Sequence, residues 1–214
     1  MGGRRGTGGV TRTGWRPYMP RMSFNNRADP LSLLLTRRSG KPRDMVAPGP
    51  DAGQLAAILA AATRVPDHGK LAPWRFVVVP AEQRERLAML LVEALSTEKP
   101  DAGAMEIEAA QQFARQAPVL VVALSSPRPN SPIPLWEQEL SAGAACMQLL
   151  NAAHALGFVG GWLTTWAAFS PRVRDAFGAA PERIAGFLFL GSAARPLDER
   201  PRPDPAQVIA TWHG

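Results

Sequence analysis

Residues 64–79 read Arg64-Val65-Pro66-Asp67-His68-Gly69-Lys70-Leu71-Ala72-Pro73-Trp74-Arg75-Phe76-Val77-Val78-Val79. A helical pattern stops at Pro66, a loop bounded by Pro and Gly follows, and an aromatic-led apolar run then has the composition of a buried strand. Loops held between a helix and a strand are common places for ligand contacts, and this one carries Arg64, Lys70 and the imidazole of His68. The same residues serve equally as a connector with solvated cations, so the neighbouring segments must supply the distinction.

On the N-terminal side, Asp51 and Gln54 have capping-box spacing, and Leu55, Ile58, Leu59 and Ala62 repeat at the helical period. Earlier still, Asp29-Pro30 opens a short helix whose apolar face is Leu31, Leu34 and Leu35. It ends in Arg37-Arg38-Ser39-Gly40-Lys41-Pro42, where two forked guanidinium groups, a hydroxyl and an ammonium suit a phosphate. Cations at a helix C-terminus also simply complement the dipole.

On the C-terminal side, 81–95 reads as an amphipathic helix with Leu87, Leu90, Leu91 and Leu95 inward and Glu, Arg and Gln outward, and 101–116 as a more polar helix. Val119–Leu124 has the continuous apolar character of a central strand covered on both faces. After a proline-rich loop over 125–134 comes a helix over 141–156, apolar on most faces. The segment 157–166 then carries the pair Gly160-Gly161, which removes side chains so that backbone can approach a flat ligand. It has no Gly-x-Gly-x-x-Gly dinucleotide fingerprint. Ser170-Pro171 caps another short helix, and 186–191 is a further buried strand. The tail from Arg195 carries Val208, Ile209 and Trp212, which need a surface to lie on; a partner subunit is one candidate. The two helices between the first and second strands break a regular doubly wound pattern, so the fold class is α+β, a sandwich with helices on both sides of a central sheet.

The formal charge of the 214-residue chain is +6, and Arg4, Arg5, Arg12, Arg16, Arg21 and Arg27 all precede the first acidic residue. From Ala28 onward the chain is formally neutral, so the basicity reports an N-terminal extension and a basic folded face for nucleic acid is not supported. Residues 1–27 lack hydrophobic periodicity and are expected to be disordered, leaving 28–214 as one domain. Cys146 is the single cysteine, which excludes a disulfide framework and a cysteine-based zinc site. No run approaches the roughly 20 apolar residues of a membrane span, and no secretory signal opens the chain. A cytoplasmic protein without a metal is expected.

Taken in order, Arg37-Arg38-Ser39, Arg64-x-Pro66-Asp67-His68, Pro73-Trp74-x-Phe76-x-Val78, Trp136-Glu137-Gln138 with Ser141-Ala142-Gly143, and Gly186-Phe-Leu-Phe-Leu-Gly191 resemble the FMN-dependent nitroreductase family, and within it the YdjA-type branch. The likeness runs from about Asp29 to Trp212, and the joint occurrence of the motifs is more specific than any one of them. It implies a nitroreductase-like α-β-α sandwich with a mostly antiparallel central sheet. It also implies a homodimer with one FMN per subunit, each site built from both subunits at the interface. By the family pattern the FMN phosphate and ribityl chain fall to Arg37, Arg38 and Ser39. Lys41 matches a lysine near the flavin pyrimidine edge, where a cation stabilises the anionic reduced ring.

Arg64 and His68 match cofactor-binding positions of the YdjA-type branch. Trp162, Leu163 and Thr164 match a segment lying along the isoalloxazine, and Arg200 and Arg202 resemble a phosphate-contacting basic pair. A nicotinamide stretch would fall on Ala152, Ala153, His154, Ala155, Leu156 and Gly157, where a plain buried helix is the competing reading. Two positions depart from the pattern: Ala72 stands where the family has Gln, and Leu163 where the branch has Arg. Each removes a polar side chain, and one neutral hydrogen bond is worth about 0.5–1.5 kcal/mol.

The function so implied is hydride transfer from NAD(P)H, through FMN, to a small-molecule acceptor such as a nitroaromatic, quinone or enone by a ping-pong mechanism. The flavin carries the chemistry, and no catalytic side chain is required. Asp67, His68 and Ser141 are accordingly not read as a hydrolytic triad. The alternative of another class is a non-redox protein that grips nucleic acid or another polyanion through its arginine-rich N-terminus.

Overall fold

The computed structural model of the chain describes residues 10–12 and 23–213. Its elements are β1 (Val10–Arg12), α1 (Pro30–Thr36), β2 (Met45–Val46), α2 (Ala52–Ala62), β3 (Trp74–Val79), α3 (Arg84–Glu98), α4 (Ala104–Arg115), β4 (Val119–Ser125), α5 (Leu135–Ala155), β5 (Val159–Leu163), α6 (Pro171–Asp175), β6 (Arg183–Ala193), α7 (Pro205–Val208) and β7 (Ala210–Trp212). The caps legible in the sequence are made: Asp29 accepts from Ser32 N at 2.9 Å, Asp51 and Gln54 close a reciprocal box, and Ser170 accepts from Val173 N at 3.1 Å.

Strand β6 organises the sheet. It pairs with β4 on one side, and β4 with β3; β5 and β2 also pair with it, and every one of these pairings is antiparallel. Alternation along the two inner strands builds two cores. Leu120, Val122 and Leu124 of β4 and Phe187 and Phe189 of β6 join the apolar faces of α3 and α4, where Phe113 meets both phenylalanine rings edge-on at centroid distances of 5.1 and 5.2 Å. Val121, Ala123, Leu188 and Leu190 point the other way, onto Ile58 and Ala62 of α2 and Leu149, Leu150 and Ala153 of α5. The result is the expected helix–sheet–helix sandwich. Cys146 lies in the second core, where desolvation pushes its thiol up to about 12 and leaves it inert.

Several details differ from the sequence expectations. Strand β3 is a half-buried edge strand rather than a buried one, because among the described residues β4 is its single partner. Arg84, placed on the outward face by periodicity, is buried. Its guanidinium donates to the carbonyls of Val79, Ala114, Gln116 and Pro118, tying the start of α3 to the end of α4, and burial lowers its pKa to about 10. Of the stretch expected to be disordered, residues 1–9 and 13–22 lie outside the described residues, Val10–Arg12 pairs with β7, and residues 23–27 sit on α1. Asn25 N donates to Thr36 O at 3.1 Å, and Asn25 Oδ1 accepts from Arg38 N at 2.8 Å.

Candidate functional site

Between the loop leaving α1, the strand β5, the middle of α5 and the segment following β6 lies a cavity of about 650 Å³. That is within the roughly 300–1,000 Å³ of small-molecule and cofactor sites. Met147, Leu150, Trp162 and Leu163 give it apolar walls; Arg37, Ser39, Lys41 and Arg200 give it polar ones. Arg37 is half-buried, with Nη1 donating to Ser39 Oγ at 3.1 Å. Burial first, then the nearby charges of Arg202 and Arg38, lower its pKa. Arg37 and Arg200 enter no ion pair among the described residues. A partly buried cation that has like charges near it and no ion pair of its own favours an anion that relieves both. The cations beside them are neutralised from within the chain, Lys41 by Asp198 at 3.1 Å and Arg195 by Asp44.

Arg38 is not in that cavity. It is buried, paired with Glu199, and lies over the ring of Phe24 at 4.8 Å, with Nη1 donating to Arg37 O at 2.9 Å and Nε without a partner. Adjacent residues leaving a helix diverge, so the pair read together in the sequence separates into one cavity residue and one buried anchor.

The cavity wall is fixed by a short relay. Gly40 N donates to Gly160 O at 3.1 Å, and Gly160 N donates to Nε2 of His154 at 3.1 Å, so the cation-bearing loop hangs on β5 and β5 on the end of α5. His154 is fully buried; since Nε2 accepts, Nδ1 carries the proton, and it has no partner. Desolvation, then the charge of Arg37, push the imidazolium down to about 4. Within 152–157, Ala153 and His154 are buried at the end of α5 and none of the six residues lines the cavity. Ala152 is half-buried, and Ala155, Leu156 and Gly157 are exposed.

Gly161 lines the cavity, and both glycines of the pair are also required by close packing within the chain. A Cβ at Gly161 would meet Gly40 O at 2.8 Å and one at Gly160 would meet Leu150 at 2.6 Å, so it is protein that approaches closely there. A Cβ at Gly186 would lie 2.0 Å from Trp162 Nε1; that space lets the indole lie on β6 and donate to Ala185 O at 3.0 Å. Leu163 lines the cavity next to it, whereas Thr164 is exposed and does not.

The 64–72 loop presents a second cluster. Asp67 accepts from Leu71 N at 3.0 Å and Ala72 N at 2.9 Å, holding Lys70 and Ala72 at φ 55° and 46°. His68 Nδ1 pairs with Glu137 at 2.7 Å near the start of α5, Arg64 is exposed, and neither residue lines the cavity. Arg202 also lies outside the lining, close enough to act on Arg37 and Glu199. Sequence reasoning passed over Arg195, Leu197 and Asp198, which close the cavity; the Ala194-Arg195-Pro196 break after a long strand was the available signal.

The family model described as "Nitroreductase family" matches residues 35–192, which span the cavity loop, the sheet and all the large helices. The chain belongs to the nitroreductase family. As a nitroreductase-family protein it is an oxidoreductase. "Putative NAD(P)H nitroreductase YdjA" of Escherichia coli strain K12 is 39% identical to it over 165 residues, 77% of this chain and 88% of that protein. A "Putative NAD(P)H nitroreductase" of Haemophilus influenzae is 35% identical over 186 residues, 86% of this chain and 99% of that protein. Among solved structures, a nitroreductase-like family protein from Bacillus cereus superposes with a TM-score of 0.76 at 18% identity, over 88% of this chain and 98% of that one. The FMN and NADPH-dependent nitroreductase NfnB of a Sphigopyxis strain gives 0.67 at 22% identity, over 87% and 99%. These two likenesses concern the fold.

Proposed function

We propose that this nitroreductase-family protein is an FMN-dependent NAD(P)H oxidoreductase, a homodimer with one FMN per subunit, that reduces nitroaromatic, quinone or enone acceptors in ping-pong fashion. The observation that carries the reading is the cationic corner, Arg37 and Arg200 without ion pairs and Arg202 near enough to act on Arg37, at one side of an apolar-walled cavity large enough for a cofactor. A phosphate is the anion such a corner suits, and Met147, Leu150, Trp162 and Leu163 suit a flat ring. FMN, when bound, supplies two-electron acceptance and delivery. The chain's own groups do the rest.

Arg37 and Ser39 take the phosphate end. Lys41 lines the cavity with its ammonium in an exposed pair with Asp198, a pair that a negatively charged ligand competes for. Leu163 and Trp162 exclude water from the apolar wall. His154, through Gly160 and Gly40, holds the Arg37–Lys41 loop at its distance from that wall. Arg38 supports the loop from behind.

Arg64 and His68 act in the partner's site. Within one chain His68 is tied to Glu137, and the cavity residues Met147 and Leu150 lie 10–13 residues further along α5, roughly 15–20 Å at about 1.5 Å per residue. A second copy brings such groups together, and the exposed Leu31, Leu34, Leu135, Trp136 and Leu140 provide apolar surface for it. Residues 28–214 form the FMN-binding domain. No helix among the described residues is long and apolar enough to cross a membrane, which accords with a cytoplasmic site of action.

The test is direct. Purified protein takes up one FMN per chain, NADH or NADPH bleaches it anaerobically, and sedimentation gives a dimer. A colourless protein that refuses added FMN, or a folded monomer, removes the reading.

A further inference from the structure

Helix α1 does not close its own C-terminus. Arg37 rather than glycine follows Thr36, and at φ −58° and ψ 128° it carries the chain away without the left-handed turn that often satisfies the last carbonyls of a helix. The closure comes from upstream. Asn25 N donates to Thr36 O at 3.1 Å, Asn26 N donates to Thr36 Oγ1 at 2.9 Å, and Asn25 Oδ1 accepts from Arg38 N at 2.8 Å. Asn25 makes its bonds at φ 52°, in the left-handed region that asparagine enters more readily than most side chains. On one side of it the ring of Phe24 lies under the Arg38 guanidinium; on the other, Arg27 lies against the turn that ends α5, where a Cβ on Gly157 would meet its Nη1 at 2.8 Å.

These contacts bear on the cavity. The carbonyl of Thr36 belongs to the peptide unit before Arg37, and the N–H of Arg38 to the one after it. Asn25 holds both, so a single residue fixes the two peptide planes whose relative orientation is the φ and ψ of Arg37, and with them the direction in which that side chain leaves the backbone. Two residues further on, Gly40 N is held by Gly160 O at 3.1 Å. Arg37 and Ser39, which line the cavity, are thus strung between two anchored amides, one on β5 and one on Asn25. Both bonds of Asn25 go to backbone, so neither depends on the side chain of Arg38.

We propose that Asn25 is a positioning residue of the cationic corner: it aims the Arg37 guanidinium into the cavity and pre-orders the loop for an anion. The site therefore draws on a stretch ahead of residue 28 that carries no binding signature of its own. That the anion is the phosphate of FMN rests on the function proposed above; the ordering of the loop does not.

Hydrogen exchange on the full-length protein without FMN, and fluorescence titration with FMN, read loop order and affinity separately. Asn25→Gly keeps the left-handed backbone and its N–H and removes the acceptor. Exchange at the Arg38 amide speeds up about ten-fold and FMN binds several-fold more weakly, while the amides of β4 exchange as in wild type. Asn25→Asp, which keeps an oxygen acceptor on a side chain that tolerates the same φ, retains slow exchange at Arg38. Wild-type exchange at Arg38 in Asn25→Gly, an acceleration that extends equally to β4, or unaltered FMN affinity in a loop that has loosened overturns the proposal. If wild-type protein takes up no FMN, the cofactor reading falls and exchange at Arg38 alone decides this one.

Discussion

Replacing His154 tests the relay that positions the cation-bearing loop, and the expected effect has two separable parts. In His154→Leu the buried N–H of Gly160 loses its acceptor, which costs about 1–3 kcal/mol at any pH where the wild-type imidazole is neutral. The second part is linkage. The folded imidazolium is held at about 4 against an ordinary value of 6.5, chiefly by desolvation and next by the charge of Arg37. The unfolded chain therefore binds the proton first as pH falls, so wild-type stability is full above about 6.5 and declines down to about 4. At pH 5 the decline reaches about 2 kcal/mol, at roughly 1.36 kcal/mol per pH unit. The variant has no such group. Urea unfolding of both proteins at pH 8 and pH 5, at one protein concentration, should show wild type the more stable at pH 8 and the gap shrinking by about 2 kcal/mol at pH 5. A gap independent of pH would refute the buried neutral imidazole, and a variant as stable as wild type at pH 8 would refute the hydrogen bond.

Arg37→Ala should weaken FMN binding about 10- to 100-fold in a fluorescence titration, the loss of a charge-assisted contact of about 1.5–3 kcal/mol, with little change in melting temperature. Arg38→Ala should do the reverse, lowering the melting temperature through its lost contacts to Phe24 and Arg37 O while changing FMN affinity less than three-fold, on the order of 0.6 kcal/mol or less. Asp67→Ala frees two backbone donors and leaves Lys70 and Ala72 in left-handed conformations, a loss of about 2–3 kcal/mol in urea unfolding.

The sandwich was legible because its periodicities are clean. Leu120 to Leu124 and Phe187 to Leu190 alternate between two cores, the helical faces repeat at Leu87, Leu91 and Leu95, and Asp29, Asp51 and Ser170 announce their helices. The site was legible in part. Arg37, Ser39, Lys41, Trp162, Leu163 and Arg200 do come together, but whether a side chain leaving a helix end faces a cavity or the core turns on one backbone angle, which separates Arg37 from Arg38. Periodicity also places a residue by average environment, so it assigned Arg84 to solvent although the carbonyls ending α4 hold it inside. Nor could spacing reveal that Asp198 and Glu199 return from the far end of the chain to neutralise Lys41 and Arg38, since ion pairs more than 150 residues apart leave no local trace.

Those returning carboxylates sort the cations by task. Lys41, Arg38 and Arg195 each meet an acid of their own chain, so their charges are spent on fastening the 195–199 segment across the loop that leaves α1. Among the described residues the Arg37 guanidinium meets a hydroxyl and no acid, and burial and its neighbours' charges both act against its protonated form. A folded protein keeps such a group when something outside the chain completes it, because an anion bound there relieves the desolvation and the mutual repulsion together. Neutralising Arg200 therefore has different consequences in the two states: its side chain enters no ion pair among the described residues, so the empty protein loses little, whereas an anion in the cavity loses a contact. Arg200→Gln should accordingly hold the melting temperature of FMN-free protein level and shrink the rise that FMN addition produces. A drop in the FMN-free melting temperature would mean that Arg200 supports the fold and that the corner is not an anion site.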